Sequence, residues 1–302
     1  MKKMTLSSRS VTMVAALLLA VVTAGFAIAS RAQAAGEVIT QFPGLSDGGN
    51  MPMGTQPPDV SLDVGPHFVL QAVNKQLAIF DKLRGTPLVA NDLDGFFEDG
   101  ELDYSYAPPI VGSTEGRVAC NSYNQGQPQV FYDHLSQHWI ITSVAYEPDK
   151  VDTGPYFQCM AITRHPTVRG FPPSLTAVDW AQYAFAIHPQ YLHRYPQFGL
   201  WADGLYMTAD VVDVDNFGQH YTPKGVVVWV FNRDDLVAGV TTPPRTQDFY
   251  LSESLGYASL LPSSLKGAPP APGTPNILAA IAPPNQFLTW KLHVDWIHTG
   301  NS

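Results

Sequence analysis

The chain has 302 residues and a formal net charge of −9, with 45% hydrophobic and 14% charged residues, 26 Pro and 24 Gly. An apolar fraction of that size is ample for a core and excludes disorder, and the lack of a glycine repeat excludes a collagen-like rod. The acidic balance excludes binding to nucleic acid or to an anionic membrane surface through the bulk field.

Residues 1–34 begin with Lys2, Lys3 and Arg9, continue through the apolar run VTMVAALLLAVVTAGFAIA (11–29) and end on Ala32-Gln33-Ala34. This is the layout of a cleaved secretory signal. The alternative is an uncleaved anchor, because the run is nearly long enough to span a bilayer. Cleavage leaves 268 residues and removes four basic side chains (Lys2, Lys3, Arg9, Arg31), taking the net charge to −13. The expected location is secreted, either extracellular or periplasmic, with no membrane partner after cleavage. Residues 35–57 have no periodicity and read as an extended leader. Gly44-Leu45-Ser46-Asp47-Gly48 matches the nucleophile-elbow pattern by chance, since no strand precedes it and no helix follows.

From Pro58 to Ser302 short strands alternate with turns. FVLQAV, QLAIFD and TPLV read as three strands between residues 67 and 89, and residues 90–109 as an acidic loop. PQVFYD and HWIITSVAY form a hairpin across residues 133–138. YFQCMAITR (156–164) and WAQYAFAI (180–187) are further strands. FGLWADGLYMTADVV (198–212) is a hairpin turning at Ala202-Asp203-Gly204. GVVVWVFNRDDLVAG (225–239) is a strand and a short helical turn, and LTWKLHVDW (288–296) alternates again. No amphipathic helix of ordinary length is expected after the signal.

IFD-KLRG-TPLV, FYD-HLSQ-HWII and VFN-RDDLVAG share one form: an aromatic residue, Asp or Asn, then a polar turn. Asp and Asn accept backbone N–H bonds two residues on, which is why they stand there. Recurrence of such a unit fits an all-β fold in which four-stranded blades pack radially, a β-propeller. His134 and His138 are then expected as solvent-facing turn residues. Cys120 and Cys159 are an even pair in a secreted chain, so a disulfide is expected. It closes a loop of about 40 residues and stabilises by about 3–4 kcal/mol on the chain-entropy model. The alternatives are free thiols or a metal pair, and the lack of CxxC spacing disfavours the metal.

Assembled in order, these stretches resemble a group of secreted, mostly bacterial β-propeller proteins of poorly defined activity. The resemblance rests on Pro57-Pro58-Asp59 through Val64-Gly65-Pro66-His67, on Val73-Asn74 and Ala78-Ile79-Phe80-Asp81-Lys82, and on Tyr132-Asp133 with Trp139. It continues through Gln158-Cys159-Met160-Ala161-Ile162, Tyr195 to Trp201 with Asp203, Tyr206, Met207 and Thr208, and His293 to Trp296. It covers about residues 57–296. It implies a propeller and no established activity. Such proteins continue past the last of these strands, whereas this chain stops at Ser302. At roughly 45–50 residues per blade, five to six blades or an incomplete seven-bladed ring are expected.

Propellers place ligands on the loops of one face, at the central channel. The candidate catalytic carboxylates are Asp59, Asp203 and Asp295, since a glycoside hydrolase needs two, separated by about 5–10 Å. His67, Trp201, Tyr206 and Trp296 are candidate ligand-binding residues, the aromatics by stacking on sugar rings. Asp beside Gly is also an ordinary turn former, and Trp an ordinary core residue. Asp92 and Asp94, with Glu98 and Asp99, form one acidic loop that could hold calcium, and Asp210, Asp213 and Asp215 another. Neither follows the EF-hand pattern, and no cofactor is otherwise expected. The leading reading is a monomeric binding module for a glycan or protein ligand, and the alternative is a glycan-cleaving enzyme.

Overall fold

The computed structural model describes residues 41–45, 58–98, 114–168, 171–215, 218–239, 244–253, 258–282 and 286–302. The expected signal and most of the expected leader lie outside these residues. Every element below belongs to the unit Phe42–Ser302.

Four antiparallel sheets follow one another along the chain. The first holds β1 (Val60–Val64), β2 (Phe68–Val73), β3 (Gln76–Asp81) and β4 (Pro87–Asp92) in sequence order. Two helices follow, α1 (Leu93–Phe97) and α2 (Thr114–Ser122). The second sheet holds β5 (Asn124–Asp133), β6 (His138–Ala145), β7 (Phe157–Thr163) and β8 (Trp180–Ala186). The third holds β9 (Leu192–Leu200), β10 (Gly204–Val214), β11 (Tyr221–Asn232) and β12 (Thr246–Ser252), with α3 (Arg233–Ala238) after β11. The fourth has three strands, β13 (Leu261–Pro262), β14 (Asn276–Ala282) and β15 (Gln286–Leu292). The first strands begin at intervals of 64, 68 and 69 residues. The expected 45–50 residues per blade, and with it five or six blades, gives way to four sheets among the described residues. The long links, with their helices and loops, lengthen the repeat. The HVDW segment is not a strand: β15 ends at Leu292.

The sheets stack face to face. Leu70, Ala72 and Ile79 of the first meet Val130, Trp139 and Ile141 of the second, with Phe96 and Phe97 of α1 sealing the edge. Ile140, Met160 and Ile162 of the second meet Phe198, Leu205 and Met207 of the third. Val226 and Val228 of the third meet Leu278 and Ala280 of the fourth. Both faces of the second sheet are therefore covered, and β6 and β7 are buried at every residue. This explains their unbroken apolar runs where a half-exposed strand would alternate. Cys120 of α2 is bonded to Cys159 of β7, as expected, which fastens the helix to the second sheet.

The first strand of each sheet lies beside the first strand of the next, and all run the same way. Ser61 Oγ accepts from Val130 N, and Asp63 Oδ2 from Tyr132 N, both at 2.9 Å. Gln127 Oε1 accepts from Tyr195 N at 2.7 Å, and Phe131 meets Phe198 at 5.4 Å between ring centroids. Ser264 Oγ, just past β13, accepts from Leu200 N at 3.3 Å.

The turn Asp133–His138 is the expected hairpin, with Asp133 paired to His138. The expectation of a solvent-facing His138 is wrong: it is buried, and its Nδ1 donates to Ser136 O at 2.8 Å. Asp133 is also buried. Its Oδ1 accepts from Leu135 N, and its Oδ2 accepts from Ser136 Oγ and from Arg233 Nε at 2.8 Å. Arg233 Nη2 lies 2.7 Å from the same oxygen. The three similar turns are not equivalent. Asp81 and Asn232 end the third strands of their sheets, whereas Asp133 ends a first strand.

Two consequences can be measured. Asp133→Ala leaves the Arg233 guanidinium, whose side chain is 14% exposed, without its partner. The expected loss is about 3–5 kcal/mol, read from the urea midpoint. His193 on β9 is wholly enclosed, and neither ring nitrogen has a hydrogen-bond partner among the described residues. Burial, then the neighbouring His188, depress its pKa from 6.5 to about 3. The unfolded chain takes up this proton first as pH falls, so the fold weakens between those two values, by about 1.4 kcal/mol per pH unit. His193→Leu flattens that part of the stability–pH curve, and an unchanged slope would contradict the assignment.

Candidate ligand-binding site

At one end of the parallel first strands, the segment after β13 lies across their C-terminal ends. Leu265 N donates to Leu200 O at 2.7 Å, His134 Nε2 lies 2.6 Å from Gly267 O, and Lys266 pairs with Asp63 at 3.6 Å. Residues 264–267 thus touch the ends of β9, β5 and β1 and form a cap there.

The structure gathers four of the predicted residues near this capped end. Asp203 sits in the β9–β10 turn, where burial raises its pKa. Tyr206 O–H donates to both carboxylate oxygens, at 3.2 and 3.3 Å, and Trp296 Nε1 donates to the Asp203 carbonyl at 3.1 Å. Trp201 and Trp296 pack around Tyr206 and Val294. Their polar atoms have internal partners, however: Trp201 Nε1 donates to Thr274 O at 2.9 Å, and Tyr206 is fully buried. Asp295 is nearby in sequence, but its Oδ1 accepts from Ile297 N and His298 N at 2.9 and 2.8 Å. Those backbone bonds hold its pKa down. It shapes the final turn.

The opposite end was not legible in the sequence as a site. There Asn74, Gln127, Tyr195 and Ser259 all have left-handed backbones, with φ of 53°, 52°, 50° and 51°. Each costs of order 1–3 kcal/mol for a non-glycine residue, and such strain collects at functional positions. Asn74, Gln127 and Tyr195 are linked through neighbouring contacts, and Ser259 lines one cleft with Tyr195. Asp59 N donates to Asn74 Oδ1, and Asn74 N to Asp59 O, both at 2.8 Å. Gly126, at φ +84°, packs against the Asn74 carbonyl, where a Cβ would lie 3.4 Å from the oxygen. Gln127 then accepts from Tyr195 N as above, and Ser259 N and Oγ donate to the Asp210 carboxylate at 2.7 and 3.2 Å.

Beside this row a cleft of about 280 Å³ opens between the third and fourth sheets, lined by Tyr195, Gln197, Thr208, Asp210, Ser259 and Leu260. Tyr195 is 59% exposed, and Phe287 of β15, at the same end, is 80% exposed. Its orientation is set by Arg194, whose guanidinium lies 4.8 Å from the Tyr195 ring centroid and 3.9 Å from that of Tyr221. Arg194 Nη2 also donates to Tyr195 Oη at 3.0 Å. A cation held between two rings is a rigid arrangement. The signal in the sequence was proline inside a first strand, at Gln127-Pro128 and Tyr195-Pro196, where proline marks an irregular strand.

Asp59 and Asp203 do not converge. Asp59 precedes β1 and Asp203 follows β9. Because the first strands are parallel, about a strand length separates them, roughly 15–20 Å at about 3.3 Å per residue. Asp59 is half-buried, which raises its pKa. Asp92 caps α1, accepting from Gly95 N at 2.6 Å, and Asp94 Oδ1 accepts from Asn124 N and Nδ2 at 3.0 Å. In the second acidic loop, Asp213 pairs with Lys224 and Asp215 with His220. Among the described residues, no three His, Cys, Asp or Glu side chains converge as a metal site would require. His67 lines a separate cleft in the first sheet.

No protein-family model matches the chain, and neither a curated protein nor a solved structure shows significant similarity to it.

Asp203 separates a structural from a functional corner. A carboxyl group whose pKa is raised on folding loses stability as pH rises above its unfolded value of 3.8. Asp203→Asn, still an acceptor for Tyr206, is therefore expected to be neutral or slightly stabilising at pH 7 and to remove the loss above pH 4. A fall in melting temperature at pH 7 would contradict this.

Proposed function

We propose that the chain is a secreted β-propeller module that binds a glycan at the end of its first strands opposite the 264–267 cap. The propeller reading is supported by four consecutive meandering sheets, stacked face to face, whose first strands run parallel beside one another. The disulfide fits an oxidising compartment.

The observation that carries the binding reading is the row Asp59, Asn74, Gln127, Tyr195 and Ser259, with its strained backbones and its exposed tyrosine. A flat aromatic ring flanked by amide, hydroxyl and carboxylate groups suits the apolar face and the hydroxyl edge of a sugar. Hydrolysis is the weaker reading, since Asp59 and Asp203 stand at opposite ends of the strands and Asp295 is held by a turn. A glycan array followed by calorimetry tests the proposal. Tyr195→Ala is expected to weaken the best ligand roughly tenfold or more, as losing a stacking aromatic does, with no reducing sugar released. Undiminished binding by the variant would exclude this site, and sugar release would restore the enzyme reading.

A further inference from the structure

The turns β1–β2 and β3–β4 of the first sheet meet around a second cleft, of about 540 Å³. Its apolar wall includes Leu83, Leu88 and Pro172, and its polar wall is His67, Lys82 and Arg84. Lys82 N donates to His67 O, and Lys82 Nζ donates to Gly65 O, both at 3.0 Å. This pins the ammonium group and leaves two of its three N–H donors for other partners. Arg84 is 80% exposed and stands 3.6 Å from Asp81 Oδ2, beyond a good hydrogen bond. Asp81, the carboxylate of this cleft, uses Oδ1 to accept from Leu83 N and Arg84 N at 3.0 and 2.7 Å.

Two permanent cations and an imidazole thus line one cleft of a chain with 26 acidic and 17 basic residues. Among the described residues one carboxylate lines it, Asp81, which holds its own turn and lies 3.6 Å from Arg84, leaving a net positive charge. Exposed Leu83 and Leu88, at 68% and 43%, give the same cleft an apolar wall. We infer that this cleft is a binding site for an organic carboxylate with an apolar body. The acid group meets Arg84 and Lys82, and the body covers Leu83, Leu88 and Pro172. Arg84 supplies a planar fork that matches a carboxylate, and Lys82 a fixed point charge. The site is independent of the glycan reading.

Calorimetry on the intact chain with octanoate, octylamine and octanol as probes tests the inference. Octanoate is expected to bind roughly tenfold more tightly than octanol, with octylamine weakest and with affinity falling as salt rises. Arg84→Gln and Lys82→Gln, both at partly exposed positions, are expected to weaken octanoate and leave octanol unchanged. Leu83→Ser is expected to weaken both. Equal affinity for octanoate and octanol, absence of octanoate binding, or wild-type octanoate affinity in both charge variants would overturn the inference.

Discussion

The ion pair between Asp133 and Arg233 ties the first turn of the second sheet to the helix that follows the third strand of the third sheet. The Asp133 carboxylate holds its own turn through Leu135 N and Ser136, then reaches a residue 100 positions away. With its carboxylate 1% exposed, neither partner can be lost without leaving a charge in poor solvent. Hydrophobic faces alone do not define which sheet meets which, because each face here is apolar in a similar way. A buried charge pair disfavours a shifted packing, which leaves both groups unmatched. The short link from β8 to β9 already makes the second and third sheets neighbours, and the pair adds one fixed polar contact between them.

The two ends of the first strands differ in physical character. At the capped end, polar groups face inward: indole nitrogens donate to carbonyls, and a phenol donates to a half-buried carboxylate. At the opposite end, among the described residues, four side-chain-bearing residues hold left-handed backbones, against Gln137 alone in the turn at the capped end, and Tyr195 is exposed. Strain of that kind persists only where the surrounding structure enforces it. Here the contacts differ: Asn74 bonds to Asp59 within its own sheet, Ser259 to Asp210 of β10, and Gln127 to Tyr195 of the next first strand. Only the last of these also aligns neighbouring first strands.

Much of the strand pattern was legible. The aromatic–Asp turns marked Asp81 and Asp133, and runs such as FVLQAV and QCMAIT fell on β2 and β7 because β-branched and aromatic residues fit a covered sheet. The helix Thr114–Ser122 was not legible. Its sequence TEGRVACNS lacks an apolar stripe, and it is held by Ala119, Cys120 and the disulfide. The repeat length was misjudged because the inserted links carry no periodicity. His138 looked exposed because a polar residue beside a turn normally is, whereas both faces of β6 are covered. Trp201, Tyr206 and Trp296 read as stacking surfaces for a ligand, whereas their polar atoms bond inward to Thr274 and Asp203. Tyr195 was missed because Pro196 marks an irregular strand but not which side chain that irregularity leaves exposed.

Hydrogen–deuterium exchange with and without the tightest-binding oligosaccharide tests most directly where the ligand lies. Protection expected from this account falls together on residues 124–129, 191–197 and 258–261, the starts of three first strands. Protection confined to residues 134–138, 201–206 and 264–267 would place the ligand at the capped end and contradict it.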